Sequence, residues 1–201
     1  MINSETLENY EKYLGNLQNN IIDKFFEEQK AYIKCKMGCS SCCEKGEYPC
    51  SELELMYLMK GFNELDEDTK NKIQKNVNAI TKELEESLEK LYICPFLIDN
   101  CCSVYENRML ICRTHGLLFY KTNKEGQTTN KIPACVEEGL NYSEVYDKET
   151  KTISEEKWLN SGIETKPIAH NIDREILINN SDTKKLNLDF SESKKLIDWL
   201  K

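Results

Sequence analysis

Ten cysteines carry most of the chemistry available to this 201-residue sequence: Cys35, Cys39, Cys42, Cys43, Cys50, Cys94, Cys101, Cys102, Cys112 and Cys135. None lies before position 35 or after position 135, whereas disulfide staples would spread over the whole chain. Met1 to Lys12 has neither a basic leader nor an apolar run, so no secretory signal is expected and the thiols are expected to stay reduced in the cytoplasm. Dense cysteine under reducing conditions points to metal binding or catalysis. The first group runs Cys35-Lys-Met-Gly-Cys39-Ser-Ser-Cys42-Cys43. Gaps of two or three residues let one loop fold back and present several sulfurs to a point, and Gly38 can take the positive φ such loops need. Thiolates suit zinc, which takes four ligands tetrahedrally at about 2.3 Å. They equally suit iron–sulfur clusters, which need about four cysteines each.

The second group is dispersed: Cys94-Pro95-Phe96-Leu97, Cys101-Cys102-Ser103-Val104-Tyr105-Glu106-Asn107-Arg108, Ile111-Cys112-Arg113 and, farther on, Cys135. Cys35, Cys39 and Cys42 share the C-x3-C-x2-C spacing of radical S-adenosylmethionine enzymes, in which three thiolates leave one iron of a four-iron cluster open. Against that reading, Ser41 stands where those enzymes carry an aromatic residue, and an amphipathic helix precedes the loop in place of a barrel strand. The chain is also short for a barrel of about 250 residues. The spacing still lets one loop hold three corners of a cluster.

Together these blocks, spanning residues 35–135, resemble the YkgJ-type cysteine-cluster family, described as a zinc- or iron-chelating domain with a CxxCxxCC signature. The resemblance implies that Cys35, Cys39, Cys42, Cys43, Cys94, Cys102, Cys112 and Cys135 bind the metal, as a 4Fe-4S iron–sulfur cluster or as Zn2+. Cys50 and Cys101 fall outside the pattern and read as small buried hydrophobes. Met109 replaces the family's proline after the arginine, and the first gap is three residues where the signature has two. Some members resemble flagellin lysine N-methylases. Three functions follow as expectations: a metal-binding protein with a redox, sensing or metal-handling role, a metal-dependent enzyme of that methylase kind, or a zinc-stabilised interaction module. Eight sulfurs exceed one tetrahedral site, so either two sites exist or only four sulfurs bind. Adjacent cysteines such as Cys42 and Cys43 are hard to aim at one ion from an extended backbone, because successive side chains diverge.

Around the sulfurs, Arg108 and Arg113 flank Cys112 and could donate to sulfur or pair with Glu106. His115, three residues past Cys112, could ligate, shuttle protons or cap a turn, while His170 is expected at the surface. Tyr105 and Phe96 are expected in the core, the alternatives being an apolar lid over the cluster and a hydrogen bond from the tyrosine to a thiolate. A formal charge of −8 argues against gripping phosphate backbones, and neither a glycine-rich phosphate loop nor a serine–histidine–acid order is present. No run approaches the roughly 18 apolar residues of a membrane span. The expected partners are therefore a metal ion or cluster and a protein, with no nucleic acid and no membrane.

These residues need positioning, and the periodicity predicts a mainly α fold with short β elements, a small helical domain around the metal site. Leu7, Tyr10, Leu14, Leu17, Ile21 and Phe25 trace an amphipathic helix from about Ser4, its N-cap, to Ile33, weakened by Gly15. Ser51 and Glu54 read as a capping box opening a helix to about Asn63. Ile73, Val77, Ile80, Leu84, Leu88 and Leu91 mark a third helix, with Asp66, Glu67 and Asp68 at its positive end. Gly116–Tyr120 and Lys131–Cys135 suggest a hairpin around Glu125-Gly126. Residues 137–201 read as an acidic segment and a docking helix, about Ser191–Leu200, that packs around the metal-binding region of a single domain, 1–201.

Overall fold

Asn3 starts the first helix: its side-chain oxygen accepts from the Thr6 N–H at 2.8 Å and from the Thr6 hydroxyl at 2.9 Å. Asn3, not Ser4, is thus the N-cap. The computed structural model describes residues 2–36, 38–45, 48–86, 91–123 and 125–201. Helix α1 (Ser4–Leu17) runs through a π-helical turn (Gln18–Ile22) into α2 (Asp23–Glu28) and a 3-10 turn (Lys30–Tyr32). In the π turn the Asp23 N–H reaches the Gln18 carbonyl, a five-residue step. That step moves the buried position after Leu17 to Ile22 and leaves Ile21 39% exposed. The stripe expected from spacings of three and four is therefore rephased by one residue. Open space surrounds the position a Cβ would take at Gly15, in the middle of α1. Gly15→Ala is expected to raise stability by about 1 kcal/mol, read as a higher urea midpoint at unchanged slope.

Next come β1 (Pro49–Ser51), α3 (Glu52–Asn63), α4 (Glu67–Glu86), β2 (Leu97–Ile98), β3 (Cys101–Cys102), α5 (Leu110–Thr114), β4 (Phe119–Thr122) and β5 (Thr128–Lys131). They are followed by β6 (Tyr146–Asp147), β7 (Thr152–Ile153), α6 (Glu155–Ser161), α7 (Arg174–Ile178), α8 (Ser181–Lys185), β8 (Ser193–Lys195) and α9 (Leu196–Leu200). About 49% of the described residues are helical and 12% are strand, which makes the fold mainly α with short β elements. Among the described residues no helix is long and apolar enough to cross a membrane.

The chain forms two compact units. The first comprises Met1–Tyr13, Met37–Cys112 and Asp182–Lys201, and the second Leu14–Lys36 and Arg113–Ser181. In the first, the capping box at Ser51 and Glu54 is present, with Ser51 Oγ accepting from Glu54 N. Asp66 caps α4 by accepting from Thr69 N at 2.9 Å and Thr69 Oγ1 at 2.8 Å, and these hydrogen bonds hold its carboxyl below its ordinary pKa. Ile73, Val77, Ile80 and Leu84 of α4 enter a core with Leu58, Tyr92, Phe96, Val104 and Met109. Leu88 lies outside the described residues, and Leu91 is exposed. The docking helix is shorter than expected because Ser193–Lys195 pairs antiparallel with β1 (Cys50 opposite Lys194) before α9 begins. From α9, Leu196 and Ile197 join that core, and the Trp199 indole N–H donates to the Cys50 carbonyl at 2.8 Å.

The second unit packs Tyr32, Leu118, Val136, Tyr142, Val145 and Tyr146 together. The Tyr32 and Tyr142 rings stack at 5.2 Å. Its β4–β5 hairpin lies nearer the turn than the sequence suggested, since Asn123 closes that turn through Gln127 N→Asn123 Oδ1 at 2.8 Å. Leu117 and Leu118, expected in the hairpin, are core instead.

Candidate metal centre

Five thiols of the first unit come from four separate stretches of chain: Cys42 with Cys43, Cys94, Cys102 and Cys112. Ser40 sets up the first pair. Its carbonyl accepts from Cys43 N at 2.7 Å and Glu44 N at 3.1 Å, winding the chain into a 3-10 turn at Cys43–Lys45. The backbone is thus not extended there, and the two sulfurs do not diverge: Cys42 Sγ and Cys43 Sγ stand 4.0 Å apart. Two sulfurs on one tetrahedral zinc at about 2.3 Å would be separated by about 3.8 Å. Two hydrogen bonds tie the turn down. The Tyr48 hydroxyl donates to the Cys42 carbonyl at 2.6 Å, and the Cys94 N–H donates to the Cys43 carbonyl at 2.7 Å. The second bond also brings Cys94 to its neighbours.

Cys102 is set by a two-residue hairpin. Asp99 and Asn100 both take positive φ, 51° and 61°, the geometry of a tight turn whose twist matches that of its strands. Leu97 thereby faces Cys102 across the pair. Strand alternation turns Cys102 toward the core and leaves Cys101 exposed. Cys112 rides on α5, whose first residue is held by Glu54. This wholly buried carboxyl accepts from Ser51 N and Ser51 Oγ on Oε2, at 3.0 and 2.8 Å, and from Leu110 N on Oε1 at 3.1 Å. One side chain closes the cap of α3 and anchors the helix that carries a candidate ligand.

The thiols feel one another as charges. Burial, with the Cys102 and Cys42 thiolates adding to it, pushes Cys94 up to about 12. Cys112 rises well above its ordinary value, through burial first and then Cys94, Cys102, Cys42 and Glu54. Burial also raises Cys102, while the Arg108 guanidinium opposes the rise. A hydrogen bond from Cys43 lowers Cys42 to about 7, and the same bond with burial raises Cys43. A soft cation among these sulfurs would relieve both the repulsion and the burial cost, so the donor chemistry fits a thiophilic metal. None of the ten cysteines is in a disulfide. Among the described residues, no three His, Cys, Asp or Glu side chains are already gathered around one point as a metal-holding group.

The other sequence candidates fall as follows. Cys39 is half-buried in the same unit as the five thiols. Cys35 and Cys135 belong to the second unit. There the wholly buried Asn141 donates from Nδ2 to Cys35 Sγ at 3.2 Å and to the Gly116 carbonyl at 2.9 Å, and its Oδ1 accepts from Lys34 N at 2.7 Å. Gly116, with φ +97°, is needed because a Cβ would stand 2.7 Å from that nitrogen. Cys50 is core, as a small hydrophobe would be, but Cys101 is exposed. Arg108 stacks 3.8 Å over the Tyr105 ring and donates to the Tyr105 carbonyl at 2.6 Å, and its charge favours the thiolates of Cys42 and Cys102. Arg113 donates to Gln18 in the second unit.

Two expectations are corrected. Tyr105 lies outside the core and is 58% exposed even with Arg108 stacked on its ring, whereas Phe96 is core, edge-on to Phe62. His170 is only 6% exposed, because its backbone bridges to Leu118 and Tyr120 and its ring stacks at 3.8 Å on Phe25. Burial depresses His115 to about 4. Sequence reasoning recognised Glu54 as a cap partner but not its second bond to Leu110, and it gave no role to Tyr48 or Asn141. Nothing local marks such long-range partners. No family model, curated protein or solved structure matches the chain.

Proposed function

We propose that the first unit binds a thiophilic metal, an iron–sulfur cluster or Zn2+, through Cys42, Cys43, Cys94, Cys102 and Cys112, with Cys39 of the same unit as a further candidate. The role is redox, sensing or metal handling in the reducing cytoplasm. One observation carries this reading: five thiols from four distant stretches lie within one another's field, without a disulfide among them. Their order along the chain accords with the pattern that resembles the YkgJ-type family. Five sulfurs exceed the four that either one zinc site or one cluster uses and leave a neighbour to donate hydrogen bonds; the absence of the paired CxxC knuckles that structural zinc commonly uses inclines the reading to a cluster.

Anaerobic purification with metal analysis and a visible spectrum tests the proposal. The expected protein is coloured and carries iron with acid-labile sulfide, and Cys112→Ser loses the metal while Cys101→Ser keeps it. A colourless, zinc-loaded protein would leave the zinc form and remove the cluster. Protein that carries no metal, and takes up neither Zn2+ nor iron with sulfide when reduced, overturns the proposal.

A further inference from the structure

We infer that Tyr48 is a positioning residue of the thiol centre, holding the Cys42–Cys43 turn in the shape that points both sulfurs the same way. This rests on the metal-binding reading above. The phenol donates to the Cys42 carbonyl at 2.6 Å, on the backbone of the residue whose sulfur stands 4.0 Å from that of Cys43. The backbone at that post is itself tied down. The Tyr48 carbonyl accepts from Leu196 N at 3.2 Å, and the strand that follows Tyr48 pairs with β8, so the C-terminal segment fixes the backbone from which the phenol reaches.

The ring is half-buried against the core that Cys94, Cys102 and Cys112 also flank. A tyrosine phenol keeps its proton throughout the neutral range, so it serves as a donor there. The turn is thus tied at both carbonyls, by Tyr48 at Cys42 and by the Cys94 amide at Cys43. Removing one tie frees the turn to rotate, so the Cys42 and Cys43 sulfurs lose their shared direction although no thiol is removed. Outer partners of this kind set ligand orientation, and their loss typically weakens metal affinity about 10- to 100-fold.

The test is a Cd2+ titration of the reduced, metal-free full chain, following sulfur-to-cadmium charge-transfer absorption, on the wild type, Tyr48→Phe and Tyr57→Phe. Tyr57 supplies a matched control, since its hydroxyl donates to the Glu106 carbonyl at 3.2 Å in the same unit. Tyr48→Phe is expected to bind Cd2+ about 10- to 100-fold more weakly, with less charge-transfer absorption per bound ion. Tyr57→Phe is expected to titrate like the wild type, and the metal-free melting temperatures of the two variants should agree within a few degrees. Wild-type binding with Tyr48→Phe unchanged, or with both variants weakened alike, overturns the role of Tyr48 alone. A wild type that takes up no Cd2+ overturns the metal-binding reading beneath it.

Discussion

Glu54→Ala is expected to destabilise the protein by about 4 kcal/mol, far more than its place in the first turn of a helix would suggest. An ordinary capping residue is worth about 1 kcal/mol. Glu54 is wholly buried and accepts three hydrogen bonds, from Ser51 N, Ser51 Oγ and Leu110 N. Truncation leaves those donors without an acceptor in a place water does not reach, at about 1–3 kcal/mol for each group that finds no substitute. Glu54→Gln keeps the shape but turns an amide NH2 toward one of the donors, and about half the loss is expected. Glu52→Ala, two residues earlier on the exposed face, should change stability by no more than about 0.5 kcal/mol. Urea denaturation at pH 7 measures all three, and a Glu54→Ala protein within about 1 kcal/mol of wild type would show that the bridge between α3 and α5 carries little. Because Leu110 opens the helix bearing Cys112, the same variant should also loosen the proposed metal centre.

The second large effect is a loss of stability in mild acid. His115 has a folded pKa of about 4, caused by burial, against about 6.5 in the unfolded chain. Above pH 6.5 the imidazole is neutral in both states and the full stability is present. As the pH falls below 6.5 the unfolded chain takes up a proton that the folded protein refuses, so stability drops until about pH 4, where the folded protein protonates too. The drop amounts to about 3 kcal/mol over that window. His170, also depressed by burial though partly offset by Glu28, adds a loss of the same sign. Denaturation of metal-free wild type and His115→Leu at pH 7 and pH 4.5 isolates the first group, because the His170 effect is common to both proteins. The variant should lose markedly less stability on acidification. Parallel losses in the two proteins would place the acid sensitivity elsewhere.

Much of the fold was legible wherever the forces act within a few residues. The capping box at Ser51 and Glu54, the acidic start of α4 and its stripe Ile73, Val77, Ile80 and Leu84 are written in neighbouring positions, because a helix brings residues three and four apart together. The first helix was legible as a helix but not in its phase. Nothing in Gln18–Ile22 announces a five-residue hydrogen-bond step, and that one step exchanges Ile21 for Ile22 on the buried face. The Asp99-Asn100 turn, which aims Cys102 inward and Cys101 outward, requires two residues at positive φ and was not anticipated.

By itself, then, the chain's order of residues determined the mainly helical class, most element positions and the grouping of sulfurs that suggests metal chemistry. Tertiary structure alone decided which thiols of the first unit sense one another, that Cys42 and Cys43 lie side by side, and that Glu54, Tyr48 and Asn141 hold the backbone around cysteines. The division has a physical cause. Caps and amphipathic stripes are short-range consequences of backbone geometry, whereas a hydrogen bond from Leu110 to Glu54 exists only once packing has excluded water from both.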